Sequence, residues 1–280
     1  MIPAMKWLLP LFALVALRAS ADTTIGPAID TIPITIKKAG VYHLTKNLGY
    51  TGGSGAAITV NVPQVIIDMN GFQIECTSGS ANTAVGVTCT DIARVTVKNG
   101  TFTGFHTAVS MISNGATISD LLITTNFAAG ISVTGNNVQI TKNRVFNTGG
   151  APSTTDHATG ISLTGTDCTV TDNDVQTTFI QDLGSHSSDG IKLTDCANVY
   201  LADNRVLNTQ PAVAQNASST GIGTVTSENL VLLGNTVITA EFGFDLSGGA
   251  SGEYGENTTT NDGTRYNATG SGMTDIGSNN

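Results

Sequence analysis

Gly160-Ile161-Ser162-Leu163 is preceded thirty residues earlier by Gly130-Ile131-Ser132-Val133 and followed thirty residues later by Gly190-Ile191-Lys192-Leu193. Each phrase is a small residue, then apolar, variable, apolar. Upstream the same phrase reads Ala57-Ile58-Thr59-Val60, Gly86-Val87-Thr88-Cys89 and Ala108-Val109-Ser110-Met111. Downstream it returns as Gly221-Ile222 and Gly243-Phe244-Asp245-Leu246. The first apolar residues fall at 58, 87, 109, 131, 161, 191, 222 and 244, so a base period of 22 with insertions of seven to nine fits every step. A period in this range is the mark of a solenoid.

A second landmark keeps the same beat. Asn70, Asn143, Asn173, Asn204, Asn235 and Asn257 each follow their phrase by 12 or 13 residues, with Gly100 and Leu121 in the equivalent place of two repeats. Apolar residues stand three and five positions before it, as in Val138 and Ile140 or Val199 and Leu201. Another follows two positions after, as in Val145, Val175 and Val206. Each repeat therefore offers three short strands with alternating faces. One such coil cannot bury its apolar side alone, but stacked coils share a continuous core. The Asn positions tolerate left-handed backbone, and their amides can bond up and down the stack as a ladder. The expectation is an all-β, single-stranded right-handed parallel β-helix of about eight coils of about 22 residues with loop insertions.

Composition agrees. The chain has 32 Gly, 12% charged and 5% aromatic residues, too few charges for amphipathic helices. Its formal net charge of −9 and lack of a basic stripe argue against a nucleic-acid partner. Lys6, the apolar run Trp7 to Leu17 and Ala19-Ser20-Ala21 read as an export signal. They predict a mature chain from Asp22 with no membrane span. The expected organisation is a signal peptide over 1–21, an N-terminal cap over 22–54, the β-helix over 55–260 and a C-terminal cap or tail over 261–280. Capped ends favour a monomer. None of the four cysteines forms a CxxC pair, so no zinc site is expected. Cys76 with Cys89 is the expected disulfide; the alternative is that Cys89 and Cys168 simply fill core positions.

The phrases Gly130-Ile131-Ser132-Val133, Asn137-Val138-Gln139-Ile140 and Asn143-Arg144-Val145 resemble the parallel β-helix repeats of the pectin-lyase-like superfamily. Gly40-Val41-Tyr42-His43-Leu44, Asn47-Leu48 and Ile67-Asp68-Met69-Asn70-Gly71-Phe72 are similar to a secreted bacterial group of that class, as is the ending from Tyr254. The resemblance covers most of the mature chain. It implies the fold, a secreted or periplasmic bacterial location, and a class that includes lyases, hydrolases, epimerases and surface proteins.

The insertions locate a candidate site. The spacing from phrase to Asn is constant, so length varies in the return to the next phrase. Long returns span 75–85 and, in three consecutive coils, 147–159, 177–189 and 208–220. Loops on one side of a solenoid often wall a binding face. They carry Asp156, His157, Gln181, Asp182, His186 and Asp189, with Lys192 outward on the next strand and Ser132 and Ser162 in the equivalent outward slot. His or Lys beside a carboxylate can move a proton in glycan cleavage or epimerisation, and paired carboxylates can hydrolyse a glycosidic bond. The expected catalytic set is His186, Lys192, Asp189, His157 and Asp156. The expected substrate-binding set is Ser162, Ser132, Asp182 and Gln181. No metal is assigned, and no motif indicates calcium or another cofactor.

Gly184 to Lys192 resembles polygalacturonase motifs, but the ordered Asn-Thr-Asp, Asp-Asp, Gly-His-Gly and Arg-Ile-Lys set is absent. Asp156-His157 matches half of the Asp-Pro-His-Asp motif of alginate epimerases. The arginine-proline signature of pectate lyases is missing. The expected partner is extracellular glycan, bound or processed. The alternatives are a non-catalytic surface or adhesion module and a periplasmic accessory protein.

Overall fold

The computed structural model describes residues 26–149, 157–179, 187–210 and 218–280. Every regular element among them is a β-strand. The phrase strands form one parallel sheet of ten, running from Ile34–Ile36 to Thr264–Asn267. The second and third strands of each coil merge into a larger sheet of eighteen, because Val95–Thr103 and Thr117–Thr124 each run through both positions. Register holds from coil to coil: Ile131 pairs with Ile161, Ile161 with Ile191 and Ile191 with Ile222. Parallel strands joined through crossovers give a right-handed coil. The core is one column of buried Ile, Val, Leu and Phe along the axis.

The invariant small residue of the phrase has a packing cause. A Cβ at Gly190 would lie 2.3 Å from Val206 Cγ1, and one at Gly160 would lie 2.3 Å from Val175 Cγ1. The glycine row thus lets the third strand press its valines against the first.

The asparagine ladder is present, with one shift. Asn143, Asn173, Asn204 and Asn235 each donate from Nδ2 to Oδ1 of the next Asn, at 2.9 to 3.0 Å, and Asn257 continues the ladder to Asn279 Oδ1 at 3.4 Å. The same Oδ1 atoms also accept the preceding Asn backbone N–H. The left-handed angle belongs to the residue before each Asn: Lys142, Asp172, Asp203 and Glu256 have φ of 57°, 57°, 55° and 56°. Asn70 is not a rung. It is exposed with φ 52°, while Met69 fills the buried place. Gly100 is required there, since its Cβ would lie 2.2 Å from Met69 Cβ.

The cysteines correct another expectation. All four are free and buried. Cys76 lies in the larger sheet beside Tyr50, and Cys89 lies in the ten-strand sheet beside Val60 and Met111. Cys76 Sγ contacts Ser78 Oγ at 2.9 Å, and Cys89 Sγ points to the Ile112 carbonyl at 4.0 Å. The two thiols therefore serve different strand stacks.

Candidate functional site

The ten-strand sheet places one side chain per coil in a single outward row. Ser110, Ser132, Ser162, Lys192, Gly223, Asp245 and Asn267 pair in succession. Three positions earlier on the strand lies a second row, in which Asp189 stands between Thr159 and Thr220. Lys192 and Asp189 meet across these rows: Lys192 Nζ donates to Asp189 Oδ2 at 3.1 Å.

Asp189 is almost wholly buried, at 5% exposure. Burial pushes its carboxyl above the usual carboxylate range. The Lys192 ammonium and His157 oppose the shift, and the Asp245 carboxylate adds to it. These four side chains thus share one electrostatic neighbourhood. The other Asp189 oxygen, Oδ1, lies 3.9 Å from where a Gly223 Cβ would be. Gly223 therefore leaves a gap in the outward row between Lys192 and Asp245, partly covered by Thr220, whose Cγ2 would lie 3.1 Å from that Cβ. Asp245 Oδ1 accepts from Ser247 Oγ at 2.6 Å and Asn267 Nδ2 at 3.1 Å, which fixes its orientation.

His157 is held by the next coil. Ser187 N–H donates to His157 Nδ1 at 3.0 Å, and Ser187 Oγ lies 2.8 Å from the same atom.

Of the residues singled out from sequence, Asp189, Lys192 and His157 come together, and Ser162 sits beside Lys192 in register. Ser132 is one coil farther along the same row. Asp156, Gln181, Asp182 and His186 lie outside the described residues. Phe146, which adjoins the 147–159 return, is half-buried beneath the Arg144 guanidinium, 4.9 Å from the ring centroid. Asp245 and Gly223 were missed, although the signal was in the repeat itself: they occupy the variable slot that Ser162 and Lys192 occupy. Among the described residues, no group of three or more His, Cys, Asp or Glu is placed to hold a metal. No described helix is long and apolar enough to cross a membrane.

Comparison with known proteins bears on the fold. The Dettilon tailspike protein is 13% identical with a TM-score of 0.52, the match covering 88% of this chain and 59% of the tailspike. This chain thus spans less than two thirds of that protein. A mutant of the periplasmic alginate epimerase AlgG is 14% identical with a TM-score of 0.51, covering 89% of this chain and 77% of the epimerase. No curated protein matches the sequence. The family described as right handed beta helix region matches residues 86–280. Together with the stacked parallel coils, that match places the chain in the right-handed β-helix family, with the pectin-lyase-like architecture that its repeats resemble.

Proposed function

We propose that this chain is an exported protein that binds an extracellular polysaccharide on the ten-strand face and hydrolyses it there. The observation that carries the reading is the pair of carboxyls flanking the Gly223 gap: Asp189, buried and raised, and Asp245, fixed by hydrogen bonds. A raised carboxyl keeps its proton at higher pH and suits a proton donor, while a solvated neighbour suits a base. Lys192 holds Oδ2 of Asp189, which leaves Oδ1 toward the gap.

In this reading Asp189 gives its proton to the glycosidic oxygen as the bond to the anomeric carbon breaks. Asp245 takes a proton from the water that attacks that carbon. The strands bearing the two carboxyls are two spacings apart, roughly 10 Å, with the Asp189 side chain leaning toward the strand between them. A carboxyl separation wide enough to hold that water would correspond to inversion at the anomeric centre. Ser162 and Ser132 line the same face as binding groups, with His157 beside them. Asp156, Gln181, Asp182 and His186 belong to the proposed wall by their place in sequence. The negative net charge favours neutral polymers.

The test is a panel of neutral and uronic-acid polymers, with and without calcium, read by reducing ends, unsaturated-product absorbance and anomeric NMR. Hydrolysis with inversion, reduced about 100-fold or more in Asp189→Asn and Asp245→Asn, supports the proposal. Unsaturated products would establish a lyase instead. Binding without turnover would establish the non-catalytic surface module.

A further inference from the structure

The corner between the first and second strands of each coil carries a groove that the proposed hydrolytic site does not use. It has a volume of about 470 Å³ and runs from Asp91 past Asn114 and Asn136 to Asp195. A second groove of about 380 Å³ continues it, sharing Thr166 and Asp195. The first groove crosses five successive coils, four spacings of the stack, or about 19 Å.

Two glycines line it. A Cβ on Gly135 would lie 2.1 Å from the Ser113 carbonyl oxygen, and one on Gly165 would lie 1.9 Å from that of Gly135. Close stacking of the coils thus excludes side chains at these steps. The equivalent position of the next coil is Asp195, which lines both grooves.

The walls are ordered donors. Asn114 Oδ1 accepts the backbone N–H of Asn136 at 2.8 Å, and Asn136 Oδ1 accepts that of Thr166 at 3.0 Å. Each amide oxygen is therefore committed to the next coil, which fixes the flip state and leaves Nδ2 as the outward donor. Both asparagines are exposed. Ile112, 45% exposed, adds an apolar patch on the same groove. Asp91 and Asp195 stand at the two ends. A row of neutral donors at coil spacing, an apolar patch and acidic ends suit a chain of neutral sugars and oppose a polyanion.

We infer that this corner groove is a second glycan site, which binds a neutral oligosaccharide lying along the solenoid axis. It does not depend on hydrolysis at the ten-strand face.

The test uses the full chain carrying Asp189→Asn, so that no substrate is consumed. Neutral hexasaccharides of glucose, mannose and xylose, with uronic-acid hexasaccharides as controls, are titrated by calorimetry. The Asn114→Asp, Asn136→Asp pair is then added. Each aspartate keeps an Oδ1 acceptor for the next coil and turns the outward donor into an anionic acceptor, and thermal melting checks that the fold is retained. The expected result is neutral binding that weakens at least tenfold in the paired variant. A second variant, Thr134→Trp, fills the groove without touching the asparagines and is expected to weaken binding equally. Neutral binding unchanged in both variants, binding of uronic-acid chains alone, or no binding of any neutral hexasaccharide would overturn the inference.

Discussion

Lys192 Nζ lies 3.1 Å from Asp189 Oδ2, yet the two partners differ in solvation: the lysine side chain is 31% exposed and the aspartate 7%. The lysine keeps its water while the carboxylate loses most of its own. That asymmetry explains why burial outweighs attraction and the Asp189 carboxyl is raised rather than lowered.

The first prediction follows from linkage. A raised carboxyl binds its proton more tightly in the native state than in the unfolded one. Its contribution to stability is therefore full below the unfolded value, about 3.9, and declines as pH rises through the native value. Asp189→Asn removes that decline. Melting temperatures of both proteins from about pH 3 to about pH 8 should show the variant gaining on the parent as pH rises. A constant difference across the range would contradict the burial argument.

The second concerns the glycine row. In Gly190→Ala the new methyl would lie 2.3 Å from Val206 Cγ1 and 2.6 Å from the Gly221 carbonyl oxygen. Overpacking of this kind costs about 1–3 kcal/mol. Urea unfolding should show that loss, and Val206→Ala in the same chain should recover part of it. Recovery is incomplete because the carbonyl contact remains. A tolerated Gly190→Ala would mean that the first and third strands are less tightly apposed than the structure has them.

The third separates asparagines that look alike in sequence. Asn204 Nδ2 donates to Asn235 Oδ1 and to the carbonyls of Val170 and Ala202, and its Oδ1 accepts from Asn173. Asn204→Ala leaves several buried groups unpaired and should cost about 3 kcal/mol or more. Asn70→Ala, on an exposed left-handed turn, should cost about 1 kcal/mol. Equal losses would place both residues in one structural role.

The contrast between Asn204 and Asn70 also shows how far the sequence could be read. The period, the three strands per coil and the buried ladder follow from side-chain pattern, because burial forces the same residue types into the same slots. Asn70 defeats that logic because Asn suits both a buried amide ladder and a left-handed turn, one residue apart. Met69 decides between them only through packing against Gly100. At the candidate site, Lys192 and Asp189 were visible because they adjoin a long return. Asp245 was not, since its own coil has a short one, and its relation to Asp189 exists only across the intervening strand. The corner groove was invisible for a similar reason: Gly135 and Gly165 read as ordinary turn glycines until their contacts with the coil before are seen.

The fourth prediction tests the thiols. Burial pushes Cys89 and Cys196 up to about 11, and it raises Cys168 as well. At about pH 8 a thiol at that value is roughly one part in a thousand thiolate, and the thiolate is the reactive form. Iodoacetamide should therefore label these cysteines slowly in the native protein and rapidly in urea. Because all four thiols are free, a reductant should leave the melting temperature unchanged, and the intact mass should show no loss of hydrogen. A melting temperature that falls on reduction would instead reveal a disulfide. Such a bond would have to draw two cysteines out of the core positions they fill, and the cavities left behind would register as a further loss of stability.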